Sequence, residues 1–133
     1  QAYACLAALT FLAIVYASTV FTRNPQTDYH YNLDLFWSWR AVFRGSREML
    51  KEDILNIMLL LPLGGLLPFA FDKKIRWWQG LLCGIVVSFG IEILQLVLKR
   101  GLFELDDIIN NSLGCMMGAV LGSVVAHLLA GKE

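Results

Sequence analysis

The sequence predicts an all-α membrane protein: a bundle of four transmembrane helices with a further helix lying in the membrane interface. Of its 133 residues, 57% are hydrophobic and 17% are charged, and the mean hydropathy is +0.59. A soluble domain of this size has too little interior to bury so much apolar surface. In addition, four apolar runs each approach the roughly 20 residues that a helix needs to cross the hydrocarbon core.

Composition also excludes several classes of function. The formal net charge is zero, so no overall field attracts nucleic acid. The sequence contains no Cys/His spacing typical of a zinc site and no glycine-rich phosphate loop. Its three cysteines (Cys5, Cys83 and Cys115) fall singly in apolar runs, which predicts buried thiols and no disulfide framework.

The predicted spans follow the four apolar runs. The first run has no basic segment before it and no small-residue cleavage site, so we interpret it as a membrane span and not as a signal peptide. The second carries Pro62 and Pro68, which predicts a kinked or partly unwound helix. The predicted spans are residues 2–22, 54–71, 77–98 and 106–130, within a single transmembrane domain of residues 1–133.

The long connection before the second span contains a helical pattern. An aromatic and aliphatic stripe lies beside a basic stripe; the two consist of Phe36, Trp39, Phe43 and Leu50, and of Arg40, Arg44, Arg47 and Lys51. Adjacent stripes of this kind predict an interfacial helix over residues 36–52. Two alternatives remain open. Glu48 and Glu52 could neutralise the basic stripe on a wetted face, or the stripe could bind an anion.

The basic residues also predict an orientation. The turn at residues 72–76 holds three of them, and short cytoplasmic turns are enriched in Lys and Arg. The long connection holds five, which argues for the opposite orientation, but five acidic residues accompany them. We therefore expect both termini in the cytoplasm, with the long connection and the turn at 99–107 outside.

Ionisable and amide side chains are predicted to lie at one membrane face. With four antiparallel spans, the end of the third span and the starts of the second and fourth meet there. At 1.5 Å per residue, Glu92 lies about 9 Å inside its span and Gln95 about 4–5 Å; Asn56 and Asn111 lie about 3 Å and about 5 Å inside theirs. Arg100 and three acids of the adjoining turn, Glu104, Asp106 and Asp107, complete the set.

Glu92 is the strongest single indication of function. A carboxylate inside a span is unfavourable, faces the bundle interior and marks a functional site by default. It is either protonated or paired with Arg100. The alternative is a structural glutamate that fixes helix packing by hydrogen bonds.

Small residues predict where the helices meet. Gly80, Gly84 and Ser88 recur every four residues in the third span, and Gly114, Gly118 and Gly122 do so in the fourth. Small residues at this spacing allow close helix packing. We therefore predict that the two ladders pack against each other, with Gly84 and Gly118 in one contact.

Asp106 and Asp107 have two interpretations. Acids at a helix start cap backbone N–H groups and complement the helix dipole. Alternatively, they act with Glu92 as general acid and base, or bind a divalent cation through their oxygens.

Three ordered motifs resemble those of VanZ-like membrane proteins. They are Asn56-Ile-Met-Leu-Leu-Leu-Pro62-Leu-Gly64; Ser88-Phe-Gly-Ile-Glu92-Ile-Leu-Gln95; and Arg100-Gly-Leu-Phe103-Glu104-Leu-Asp106-Asp107, followed by Asn111, Gly114 and Gly118. Leu60 stands where the family usually has phenylalanine, and Glu104 where it has aspartate. The segment Asn32-Leu-Asp-Leu-Phe36 is similar to a further family element but lacks its proline.

The resemblance implies a multi-pass protein of the bacterial cytoplasmic membrane. The family's namesake is linked to low-level resistance to the glycopeptide teicoplanin, and the family carries no settled reaction. Resistance to an antibiotic that acts at the outer envelope implies a site on the outer face.

Three functions remain open at this stage. The first is an enzyme acting on a lipid-linked glycan or lipid headgroup, with Glu92, Asp106 and Asp107 catalytic and the other polar residues (Arg100, Gln95, Asn56, Asn111 and Ser88) binding substrate. The second is a non-catalytic binder of an envelope lipid or antibiotic. The third is a proton-coupled transporter using Glu92. The expected partners are membrane lipids or lipid-linked envelope precursors and not nucleic acid; no metal ligand set is assigned, although a divalent cation remains an alternative.

Overall fold

The computed structural model describes residues 1–131. Its helices are α1 (Ala2–Tyr16, continued by a π-helical turn at Ala17–Phe21), α2 (Trp37–Phe43), α3 (Arg47–Phe71), α4 (Trp77–Val97) and α5 (Leu105–Ala130). Two short strands are β1 (His30–Asn32) and β2 (Leu102–Glu104). The predicted all-α class is confirmed.

Within the described residues, four helices are long and apolar enough to cross a membrane: α1 with its π-helical turn, α3, α4 and α5. They correspond to the four predicted spans. The main difference is that α3 begins at Arg47, well before the predicted start at residue 54. It also runs unbroken through Pro62 and Pro68, so the partly unwound second span that these prolines suggested is not found.

The prediction of a single interfacial helix over residues 36–52 was wrong. Its first half exists as α2, but α2 ends at Phe43 and the rest belongs to α3. Gly45 adopts a φ of +99°, the left-handed conformation that commonly ends a helix. Ser46 then caps α3, its side chain accepting a hydrogen bond from the backbone N–H of Met49.

A small parallel ladder, which we did not predict, joins the connection between α1 and α2 to the turn between α4 and α5. Strand β1 pairs with β2, with Asn32 opposite Glu104. The pairing fixes the connection after α1 beside the turn between α4 and α5. It thereby holds the backbone of Glu104 against the end of α4.

Helix α5 packs between α3 and α4, and this corrects the predicted glycine contact. A Cβ atom on Gly84 would lie 2.7 Å from the Cα of Ser112, so the α4 ladder does face α5. Gly118 instead faces α3, where an added Cβ would overlap the carbonyl oxygen of Leu61 and lie 2.9 Å from the nitrogen of Gly65. The prediction that Gly84 and Gly118 share one contact was therefore wrong, because the two ladders pack on different neighbours.

The α3–α5 contact repeats every four residues along both helices. Gly114, Gly118 and Gly122 of α5 meet the backbones of Ile57, Leu61 and Gly65 in turn. Since α3 and α5 both begin at the same membrane face, this contact is parallel. Such close approach is possible only where one side of the interface lacks a Cβ atom.

Gly118→Ala should destabilise the bundle, because the new methyl group would overlap the Leu61 carbonyl oxygen. Overpacking of this kind costs about 1–3 kcal/mol, so we expect a lower melting temperature in detergent. The matched control is Gly65→Ala, whose Cβ would meet only the Gly118 oxygen, at 3.8 Å. Equal melting temperatures for the two variants would show that the α3–α5 backbones are not in close contact.

Candidate functional site

Polar side chains collect at the membrane face where α3 and α5 begin and α4 ends. We call this set the polar layer. Its members are Asp53 and Asn56 of α3, Ser88, Glu92 and Gln95 of α4, Glu104 of β2, and Asp106, Asp107, Asn110 and Asn111 of α5. Most of the predicted residues thus lie at this face, whereas Ser88 lies near the middle of α4. Each member of the polar layer bonds to another side chain or to the backbone.

Glu92 is buried inside α4, with 2% of its surface exposed. Its Oε2 accepts a hydrogen bond from the backbone N–H of Glu104 at 2.9 Å, which the β1–β2 ladder holds in place. Along residues 1–131 the one ion pair joins Arg40 and Asp34 at the surface. Glu92 therefore has a neutral hydrogen-bond donor as its partner, and no cation.

Asp107 links α5 to α3. Its Oδ1 accepts a hydrogen bond from Nδ2 of Asn56 at 2.6 Å, and both side chains are half-buried. The exposed Arg23 attracts Asp107 and Glu92 electrostatically without forming an ion pair with either. Two carboxyl groups from different helices thus lie in the layer with neutral donors.

Asp106 holds α2 against α5. Its carboxylate accepts hydrogen bonds from the backbone N–H groups of Phe36, at 2.5 Å, and Ser38, at 2.9 Å, and from the Ser38 hydroxyl at 2.7 Å. Phe36 has a φ of +60°, an unfavourable backbone conformation that these bonds stabilise. Asp106 therefore caps the start of α2 from another helix, a role the sequence did not indicate.

Gln95 and Arg100 bind the end of the first span. Gln95 donates to the carbonyl of Thr19 at 2.9 Å. Arg100 Nη1 donates to the carbonyls of Phe21 and Arg23, at 2.9 and 2.7 Å. Arg100 is therefore not paired with Glu92. Both side chains satisfy carbonyl groups that a helix end leaves without partners.

Asn111 and Ser88 join α5 to α4 deep in the bundle. Asn111 donates to the Ser88 hydroxyl at 2.8 Å, and both are almost fully buried. The Oδ1 atom of Asn111 is buried without a hydrogen-bond partner among the described residues.

Sequence reasoning missed a second polar connection through Asn110. Asn110 donates to Oδ1 of Asp53 at 2.8 Å and accepts from the indole of Trp39 at 3.0 Å. It thereby ties α2, α3 and α5 together. The spacing of Asp106 and Asn110, four residues apart on one helix face, could have indicated it.

Glu104 lies at the edge of the layer, outside the spans. Burial raises the pKa of its carboxyl above the usual value, and the nearby acids Glu52, Asp106 and Asp53 raise it further. The hydrogen bond from the Trp37 indole, at 3.0 Å, lowers it and only partly offsets these effects.

Residues 1–131 contain no group of three or more His, Cys, Asp or Glu side chains placed to hold one metal ion. The carboxyl groups of the layer instead make separate hydrogen bonds to amide, hydroxyl, indole or backbone donors.

Asp106→Asn should loosen α2. Its amide group would face the N–H groups that the carboxylate now accepts, and each hydrogen bond to a charged acceptor contributes about 1.5–3 kcal/mol. We expect faster amide hydrogen exchange across residues 36–44, measured by mass spectrometry. The control is Asp34→Asn, which breaks an exposed ion pair worth about 1 kcal/mol or less. Unchanged exchange in Asp106→Asn would contradict the capping role.

Glu104→Gln should reduce the pH dependence of stability. Because the folded pKa is raised, the folded protein binds the proton more tightly than the unfolded chain. This contribution is full below pH 4.5, the ordinary value, and is lost as pH rises above it. The melting temperature, measured from pH 4 upward, should therefore fall less steeply with pH in Glu104→Gln than in wild type. The exposed substitution Glu48→Gln controls for net charge, and an equal slope in Glu104→Gln and wild type would refute the assignment.

A family comparison agrees with these features. A family model described as VanZ/LLP1 matches residues 2–126, which include all the spans apart from the last residues of α5. No curated protein and no solved structure matches the chain. The family match covers most of the sequence, so the chain is a membrane protein of the VanZ-like family.

Proposed function

We propose that the protein is an enzyme acting on the headgroup of a lipid or lipid-linked glycan at the outer face of the bacterial cytoplasmic membrane. The observation that carries the proposal is that Glu92 and Asp107 lie in one polar layer, with neutral hydrogen-bond donors and no cation as a partner. An ionisable group inside a span is kept at a high energetic cost, which favours a functional role.

The two carboxyl groups suit general acid–base catalysis. One would donate a proton to a leaving oxygen of the headgroup, and the other would accept a proton from the attacking nucleophile. Asn56 would orient Asp107 through their hydrogen bond. The Asp106 carboxylate already accepts hydrogen bonds from the start of α2, and Arg100 already donates to carbonyl groups at the end of the first span. We therefore propose that both are positioning residues and that neither is catalytic.

A lipid substrate is supported by the surroundings of the layer. A cavity of about 330 Å³ lies beside it, lined by Phe36, Trp39, Arg40, Phe43, Ile109 and Leu113. Trp39 joins this cavity to the layer through its hydrogen bond to Asn110. An acyl chain in this apolar cavity would bring its headgroup to the level of the half-buried Asp107.

A second function, non-catalytic binding of an envelope lipid or of the glycopeptide, is favoured by a different observation. The layer's carboxyl groups already accept hydrogen bonds that join helices, as Asp106 does for α2. Under this alternative the layer only shapes a lipid-binding surface.

Glu92→Gln separates the two functions, because it keeps the acceptor for the Glu104 N–H and removes the titrating proton. The protein would be produced in a susceptible bacterium, with teicoplanin resistance and the lipid extract as readouts. We expect Glu92→Gln to insert and fold normally, yet to lose the resistance and any new lipid product. Loss of a general acid typically lowers turnover by about 10²–10⁴-fold.

Asp107→Asn should have the same effect, whereas Glu48→Gln at the surface should behave as wild type. The catalytic proposal fails if Glu92→Gln retains full resistance while Glu92→Ala misfolds. Resistance without any lipid product in wild type would favour the binder.

A further inference from the structure

The opposite membrane face carries a basic turn that is held rigidly. The turn, residues 72–76, joins α3 to α4, and its residue Ile75 is 5% exposed. Both the N–H and the carbonyl group of Ile75 bond to the hydroxyl of Ser123 on α5, at 3.0 and 3.1 Å. Lys74 and Arg76, on either side of Ile75, are exposed. The backbone that carries these two cations is therefore held against α5.

Beside this turn a cavity of about 610 Å³ lies between the start of α4 and the end of α5. Its walls are apolar, formed largely by Trp78, Val120, Val124 and Leu128, all substantially exposed. Lys74, Arg76 and His127 also line it. Among the described residues no carboxylate lines this cavity; Asp72, the one acid of the turn, lies on a neighbouring cavity.

The apolar walls of this cavity and the cations at its end match the acyl chain and the charged headgroup of a lipid. The apolar walls belong to membrane-spanning helices, and the cations lie in the turn where those helices leave the bilayer. Trp77 and Trp78, at the start of α4, are the residue type enriched at headgroup level. Basic pockets between spans on the cytoplasmic side bind anionic lipid headgroups, and this turn lies on the face that the sequence places in the cytoplasm.

We propose that this cavity binds an anionic phospholipid, with one acyl chain along Val120, Val124 and Leu128 and its phosphate against Lys74 and Arg76. The site lies at the opposite membrane face from the polar layer and does not depend on the function proposed there. The charge of the turn favours an anionic over a zwitterionic lipid, and the apolar walls favour a lipid over free phosphate.

The test measures the melting temperature of the full-length protein in detergent as phosphatidylglycerol is added. Phosphatidylcholine and inorganic phosphate are added in parallel. We expect phosphatidylglycerol to raise the melting temperature and the other two to have little effect. The double variant Lys74→Gln/Arg76→Gln should need about 25-fold more phosphatidylglycerol, because each surface cation contributes about a factor of five to binding of anionic lipid.

Two further variants make the test specific. Arg44→Gln/Arg47→Gln removes the same charge from exposed positions at the other face and should retain the wild-type response. Val124→Trp, at an exposed position within the bilayer, should fill the cavity and weaken the response while leaving the turn intact. The proposal is overturned if phosphatidylcholine or phosphate stabilises as well as phosphatidylglycerol, if both charge variants lose the response equally, or if Val124→Trp has no effect.

Discussion

The backbone contact between α3 and α5 determines where the polar groups meet. Its four-residue repeat, through Gly114, Gly118 and Gly122, fixes the height and rotation of α5 relative to α3. Extended back by one further step, the same register places Asp53 beside Asn110, where their hydrogen bond is found. A bilayer supplies no hydrophobic force to bring helices together, so this steric fit and the bonds at its end specify one arrangement.

The spans were predictable from sequence because the bilayer requires long apolar runs, and each run became one helix. Which helices pack against each other was not predictable from the sequence. Gly84 and Gly118 belong to ladders of the same spacing, and nothing in either ladder states which helix it faces. The division of residues 36–52 was missed for a different reason. Its aromatic and basic stripes continue across Gly45 and Ser46, and these two residues, a helix stop followed by a helix cap, gave the better indication.

Within the site, the sequence predicted how deep a side chain lies better than it predicted which group that side chain bonds to. Helix rise placed Glu92 and Gln95 near the end of α4, where the structure has them, whereas Asn111 lies deeper than predicted, beside Ser88 near the middle of α4. The sequence suggested that Arg100 could pair with Glu92, because Arg100 follows the end of the helix that contains Glu92. It binds instead the carbonyls of Phe21 and Arg23, because the end of the first span leaves carbonyl groups without partners in their own helix. That competing demand arises from tertiary structure and leaves no pattern in the sequence.

The choice of partners bears on what the carboxyl groups can do. A buried carboxylate paired with arginine is held in its charged form, since protonation would leave the cation without a partner. Glu92 and Asp107 accept hydrogen bonds from a backbone N–H and an amide, which are neutral. A carboxyl group retains an acceptor oxygen when it is protonated, so both bonds persist through a change of protonation state. A polar layer built in this way holds its geometry while a proton moves, which is what the general acid–base catalysis that we propose would require of Glu92 and Asp107.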